Sequence, residues 1–357
     1  MTAPRLEIDL DRIQHNARTL VDRLASRGIA VTGVTKSTLG SPEVARTLLK
    51  AGVSAIGESR IENIEALRQA GLEATMVLIR SPMLSQADRV VQHADVSLNT
   101  ELAVIERLSA SAVVHRTTHG IVLMVELGDL REGILRVDLD AFVLATLALP
   151  NLALRGIGAN LACQSGVAPD QQNMGELSAL ASSLEARFDL QLPVISGGNS
   201  ANLDWALGPF DPGRINDLRL GESILLGREP LRRRPIDGLH TDAFTLVAEV
   251  IEAKIKPTQA WGEINQTAFG LRSPEPDRGS TARAIVALGR QDIDPDGLEG
   301  PAGIEILGAS SDHLVLDAGA VLPRVGSELR FQLNYAALLA AMTSPFVTKV
   351  FSPAVRV

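Results

Sequence analysis

The chain has 357 residues, too long for one ordinary small core, so two domains are expected. A formal charge of −8 excludes the basic stripe that nucleic acid requires, and with 3 % aromatic residues base-stacking platforms are not expected either. One cysteine, Cys163, excludes an intrachain disulfide framework and fits a reducing compartment. No signal-peptide h-region and no apolar run of about 18 residues occurs, which reads as a cytoplasmic protein without a membrane span.

Taken in chain order, Arg5–Leu10 reads as a strand, expected to pair with a later domain. From Ile29 to Gly227 short β-rich runs alternate with helical patterns. The expected strands are Ala30–Lys36, Ser54–Glu58, Thr75–Arg80, Asp95–Asn99, Gly120–Glu126, Leu152–Asn160, Leu192–Ser196 and Ile215–Leu220. Ser41-Pro42 opens one helix with a serine cap and proline at the first position. Glu62–Ala70, Asp138–Leu149 and Gly175–Phe188 show 3.6-residue apolar spacing. No G-x-G-x-x-G turn supports a doubly wound open sheet. The expected class is α/β, a (β/α)8 TIM-type barrel over residues 11–230. Arg232–Pro235 reads as a basic linker. A mostly β C-terminal domain is expected over 237–357, joined by residues 1–10, with strands at Thr245–Ile251, Ala284–Leu288, Ile304–Leu307, His313–Leu316 and Leu329–Asn334.

A barrel of this kind works at the C-terminal ends of its strands. Lys36 ends the first. It is one of only five lysines among 34 basic residues, and a desolvated lysine amine can form an imine where an arginine cannot. Ser196–Ser200, with Gly198, Asn199 and Ser200, follows the seventh strand, and Gly221-Glu222-Ser223 follows the eighth. Glycine-rich corners after these two strands are where barrels often hold phosphate. A lysine facing a phosphate cradle suggests pyridoxal phosphate as cofactor.

Further motifs fall at the strand ends in the same order. They are Val34-Thr35-Lys36, Gly57-Glu58-Ser59-Arg60, Gly128-x-x-Arg131-x-Gly133, Gly156 to Leu161, Leu218-Arg219-Leu220-Gly221-Glu222, Ser310-Ser311-Asp312-His313 and Asn334-Tyr335. On these motifs nearly the whole chain resembles the alanine-racemase-type (fold-type III) pyridoxal-phosphate enzymes, in particular the ornithine-racemase branch. The resemblance implies that Lys36 is the imine lysine and the proton carrier on one face. It places Arg219 at the pyridine nitrogen, with Glu222 as an alternative. An arginine there leaves the ring a weaker electron sink, which suits racemisation over decarboxylation. Arg131 matches the arginine near the phenolic oxygen and substrate carboxylate. Asn160 stands where alanine racemases carry a histidine, and Tyr335 matches the tyrosine that bonds the phosphate. The resemblance also implies a head-to-tail homodimer with composite sites.

The chain departs from that pattern in one place. Alanine racemases have a tyrosine base in the second domain, where this sequence reads Gly262-Glu263-Ile264-Asn265. The second proton carrier is then another residue or a water, and Cys163, Ser311 and His313 are the candidate residues. Asp312 matches an aspartate that receives the distal amine in related decarboxylases, and so is a candidate for binding a basic amino acid such as ornithine. The expected activity is racemisation of an amino-acid substrate. A decarboxylase on the same fold and a non-catalytic pyridoxal-phosphate carrier are the rivals. The six histidines form no metal-ligand spacing at strand ends, so no metal is expected.

Overall fold

The computed structural model describes residues 2–270 and 277–353. The chain opens with β1 (Arg5–Asp9) and α1 (Leu10–Ala25). Eight parallel strands follow and close into a barrel: β2 (Ala30–Val34), β3 (Ala55–Glu58), β4 (Met76–Leu78), β5 (Val96–Asn99), β6 (His119–Met124), β7 (Leu152–Gly158), β8 (Val194–Asn199) and β9 (Asp217–Leu220). Closure is made by β2 against β9, with Ala30 to Gly33 opposite Asp217 to Leu220. All six residues of β6 are buried, because the strand has side chains on one face and helices on the other. That double burial is why these strands read as continuous apolar runs. Leu98, Val122 and Met124 form part of the barrel interior, with Val77, Ile79 and Val96 packed on them.

The covering helices are α2 (Pro42–Lys50), α3 (Ile61–Gln69), α4 (Ala87–His93), α5 (Leu102–His115), α6 (Leu139–Ala148) and α7 (Gln171–Phe188), with short α8 (Leu203–Ala206) and α9 (Glu222–Leu226). Ser41 caps α2 as expected, its hydroxyl accepting from Val44 N–H at 3.3 Å ahead of Pro42. α7 starts four residues before the expected Gly175. Asp170 and Asn173 form a reciprocal capping box there, at 2.8 and 2.9 Å. The Arg232–Pro235 segment is not a free linker. It folds around the buried Glu229 carboxylate, which accepts N–H groups from Leu231, Arg232 and Arg234 at 2.8, 2.9 and 3.1 Å.

The chain divides into a barrel unit, Asp11–Thr241, and a second unit of residues 1–10 with 242–357. The second unit is antiparallel and mostly β: β10 (Phe244–Pro257), β11 (Ser280–Val286), β12 (Leu298–Glu299), β13 (Glu305–Ala309), β14 (Leu314–Asp317), β15 (Glu328–Leu333), then α10 (Tyr335–Thr343) and β16 (Thr348–Ser352). Strand order is β12-β15-β10-β11-β14-β13. β1 lies antiparallel to β10 and parallel to β16. α10 was not expected from the sequence, since its residues are apolar nearly all round. Among the described residues no helix is long and apolar enough to cross a membrane.

Candidate active site

Lys36 stands just past the end of β2 and opens a 3-10 turn rather than extending the strand. The Thr35 carbonyl accepts Thr38 N–H at 2.9 Å and Gly40 N–H at 3.2 Å, which bends the chain away from the sheet. The Lys36 side chain is half-buried, and Nζ makes no hydrogen bond among the described residues. Burial holds its pKa below the ordinary lysine value, against the charge of Cys163, while Arg131 and Arg219 push it further down. A desolvated amine of this kind reaches its neutral, nucleophilic form at lower pH than a surface lysine.

Beneath it lies Glu58, the last residue of β3 and fully buried. Its carboxylate accepts from Thr35 Oγ1 at 2.6 Å, Asn63 Nδ2 at 2.9 Å and Ser59 N–H at 3.2 Å. Burial raises its pKa against these donors. The sequence carried Glu58 inside a motif without a role; its bond to Thr35 makes it a brace for the Lys36 turn.

Arg219, in β9, is buried and fully engaged on the inner side of the barrel. Its guanidinium donates to Ser196 Oγ at 2.5 Å, Ala159 O at 2.8 Å and Asn160 Oδ1 at 3.4 Å. Ser196 in turn donates to Asp217, which also accepts from Thr32 Oγ1 at 2.7 Å. Burial lowers the arginine's pKa and the charge of Asp217 opposes that. Ser196 is thus a site residue whose role sequence reasoning did not assign. Glu222 opens α9 and is paired with Arg233, with burial raising its pKa.

The corners after β8 and β9 meet. Ser200 Oγ accepts N–H groups from Gly221 at 3.4 Å and Ser223 at 3.2 Å, and the Ser223 hydroxyl at 3.0 Å. Gly198 has φ +146°, and a Cβ there would lie 2.1 Å from Asn202 Oδ1. Asn199 Nδ2 donates to Asn160 Oδ1 at 3.1 Å and Leu161 O at 2.8 Å, and contacts Cys163 Sγ at 3.5 Å. Asn160 Nδ2 is buried without a partner among the described residues.

Arg131 sits on a loop closed by Glu126, whose Oε1 accepts Gly128 N–H at 2.5 Å and Leu130 N–H at 3.1 Å. It pairs with Glu132, which raises its pKa, and the Cys163 thiol beside it adds to that. Cys163 is exposed. The barrel therefore brings Lys36, Glu58, Arg131, Asn160, Cys163, Asn199, Ser200, Arg219 and Gly221 to the same end of its strands.

Ser311, Asp312, His313 and Tyr335 belong to the other unit. Asp312 and His313 are exposed and bonded to each other, Oδ1 to Nδ1 at 2.8 Å, and His313 holds the Asp312 carboxyl below its ordinary range. Their loop is fixed by Arg290 N–H on Ser310 O and Gln291 N–H on Ser311 O, both 2.9 Å. Tyr335 opens α10 behind Asn334, whose side chain accepts Ala337 N–H at 3.0 Å.

A closed parallel barrel with a lysine after its first strand, a buried arginine in its eighth and a donor-lined corner after its last two is the layout of an enzyme working at the strand C-termini. The family "Alanine racemase, N-terminal domain" matches residues 8–229. The chain belongs to the alanine racemase family. It is similar over its whole length to a lysine racemase of Thermotoga maritima, at 40 % identity across 99 % of this chain and 100 % of that one. It is also similar to an ornithine racemase of Acetoanaerobium sticklandii, at 37 % identity across 97 % and 99 %. Alanine racemase from Streptomyces coelicolor A3(2) shares the fold, with TM-score 0.77, 20 % identity and 98 % of each chain covered. So does D-threonine aldolase from Filomicrobium marinum, with TM-score 0.75, 15 % identity, and 96 % of this chain and 88 % of that one covered. The fold alone therefore does not choose the reaction.

Proposed function

We propose that the protein is a pyridoxal-phosphate-dependent racemase of a basic amino acid, ornithine or lysine. The observation that carries this is the desolvated, unbonded Lys36 amine at the same barrel end as the Ser200–Gly221–Ser223 corner. The residues present fit the cofactor: a nucleophilic amine, a corner where the Gly221 and Ser223 N–H groups and the Ser223 hydroxyl converge on the Ser200 oxygen and could turn to an anion, and a buried amide donor, Asn160 Nδ2, without a partner among the described residues. Lys36 would hold the cofactor covalently, the corner its phosphate, and Arg219 its ring nitrogen. When bound, the cofactor withdraws electrons from the substrate Cα and lowers the cost of removing its proton.

The chain's own residues do the rest. Arg219, already donating to Ser196, Ala159 and Asn160, stays cationic and cannot take a proton from its neighbour, which restrains electron withdrawal and favours prompt return of a proton to Cα. Glu222 is engaged by Arg233, which supports Arg219 over Glu222 in this role. Arg131 offers a planar fork to the substrate carboxylate. Asp312, on a fixed loop, offers a carboxylate for a distal ammonium. The lysine and ornithine racemases among the relatives support the substrate class. We also read the protein as a cytoplasmic head-to-tail homodimer; the exposed Trp261 and Ile264 offer apolar surface for such an interface.

The test is direct. Purified protein with cofactor is expected to abolish the optical rotation of L-ornithine or L-lysine without releasing carbon dioxide or an aldehyde, and Lys36→Ala to lose both this and the visible absorbance of the bound cofactor. Gas release would favour a decarboxylase, and no exchange of any Cα proton would favour a carrier.

A further inference from the structure

Racemisation needs two proton carriers that reach Cα from opposite sides, and Lys36 supplies one. We propose that Cys163 is the other, set in place by Asp129; this rests on the racemase reading above.

The carrier must exist both with and without its proton near neutrality. At the barrel end that holds Lys36, the arginines fail, since they do not deprotonate. Glu58 is fully buried with both oxygens occupied by Thr35, Asn63 and Ser59. Glu222 is held by Arg233. The barrel unit's histidines lie elsewhere. His119 begins β6, at the opposite end of the strands, and its Nε2 is 2.8 Å from Ser97 Oγ. His93 and His115 close α4 and α5, and His15 and His240 pack ring to ring. Cys163 remains.

Its placement is built. Cys163 lies in the loop after β7, and Asp129, from the loop after β6, clamps that loop. The Asp129 carboxylate is buried and accepts three successive N–H groups, from Cys163 at 3.1 Å, Gln164 at 3.0 Å and Ser165 at 3.1 Å. Its own carbonyl accepts Ser165 Oγ at 2.7 Å. Burial would raise its pKa, but these donors outweigh that and hold the carboxyl below its ordinary range, so the clamp is anionic at neutral pH. Ala162, just before, takes φ +60° to make the turn. On the other flank Asn199 Nδ2 reaches both Leu161 O and the sulfur, and Arg131 stands beside the thiol. The buried, unpartnered Nδ2 of Asn160 next to Asn199 is a donor left for a ligand at this place.

Lys36 follows the first barrel strand and Cys163 the sixth, with β8 and β9 between them round the barrel. The amine and the thiol thus enter the mouth from different sides. In one direction the Cys163 thiolate takes the Cα proton: the C–H bond breaks, an S–H bond forms and the electron pair stays with the substrate. The Lys36 ammonium then gives a proton to the other face, breaking N–H and forming C–H. The reverse reaction exchanges the roles, and no other reactant is needed.

The experiment uses the holoenzyme in D2O with L- and D-ornithine and L- and D-lysine. Cys163→Ala and Cys163→Ser are expected to racemise about 100- to 10,000-fold more slowly in both directions, while one enantiomer alone still exchanges its Cα hydrogen with retention. A merely structural role would depress both exchanges alike. A second readout needs no turnover: iodoacetamide labelling of the sole cysteine, followed by mass, is expected to slow about tenfold when pyridoxal phosphate fills the mouth that the exposed thiol borders. Racemisation within threefold of wild type, equal loss of both exchanges, or unchanged labelling overturns the assignment of Cys163. Wild-type protein that exchanges no Cα hydrogen overturns the racemase reading instead.

Discussion

At the scale of the residue, the site is a balance between burial and charge around one amine. The Lys36 pKa is lowered by burial, so the unfolded chain binds that proton more tightly than the fold does. Below the lowered pKa both states are protonated and the fold bears the full cost of enclosing an ammonium. That cost disappears as pH rises from the lowered value towards the ordinary lysine value of 10.5. Lys36→Met, uncharged and of similar length, is therefore expected to stabilise the cofactor-free protein at pH 7, with the advantage shrinking as pH climbs towards the lysine range. Thermal denaturation of both proteins across that range is the measurement. A Met variant less stable than wild type at pH 7 would mean that the amine is not desolvated.

The elements around the amine depend on a few positions where no other residue fits. Gly198 is one: its φ is +146°, and a Cβ added there would come within 2.1 Å of Asn202 Oδ1, which leaves no space for alanine. Asn202 is fully buried, accepting Asn199 N–H and donating to Gly197 O, both at 3.0 Å. Gly198→Ala is expected to break this box at about 2–4 kcal/mol, and to weaken cofactor binding because the turn leads directly into Asn199 and Ser200. Denaturant unfolding and a cofactor titration measure the two effects; a loss under about 0.5 kcal/mol would show that the turn adapts. This turn was legible as a glycine-rich corner, as were the eight barrel strands, because burial on both faces writes continuous apolar runs. Elements bounded by local side-chain bonds were less so. The β2 strand stops at Val34 because the Thr35 carbonyl is taken by the turn, not because the apolar run ends there. The start of α7 was missed because its capping box uses Asn173 where Glu or Gln is the familiar partner. Asp129 left no signal at all, since it acts on backbone N–H groups 34 to 36 residues away.

Across the whole molecule, the second unit is assembled from both ends of the chain, and β1 is its seam. Arg5 to Ile8 pair with β10 and Arg5 to Asp9 with β16, so one five-residue strand fills the place between two others. Alternation divides its work. Leu6 and Ile8 point inward with no exposed surface, whereas Arg5 and Glu7 face outward in a charge cluster with Glu328 and Arg330. Arg5 binds Glu328 through its two terminal guanidinium nitrogens at 2.6 and 2.8 Å, a geometry that invites the view that charge holds the seam. Physical magnitudes decide otherwise. The Arg5 side chain is 11 % exposed, but Glu7, Glu328 and Arg330 are 31, 40 and 55 % exposed, so solvent screens the charges it meets, and Glu7 still pairs it when Glu328 is removed. Removing the buried Leu6 side chain costs both its transfer from water and the cavity it leaves, about 2–5 kcal/mol, against a total domain stability on the order of 5–15 kcal/mol. Leu6→Ala is therefore expected to lower the melting temperature markedly and to strip hydrogen-exchange protection from residues 244–247 and 348–352 together, because β10 and β16 lose the same partner. Glu328→Ala is expected to leave both nearly unchanged, and the small effect it has to vanish in high salt. The reverse order of effects would place the seam's strength in its ion pairs, and protection lost from only one of the two strands would show that β1 does not bind them as one unit.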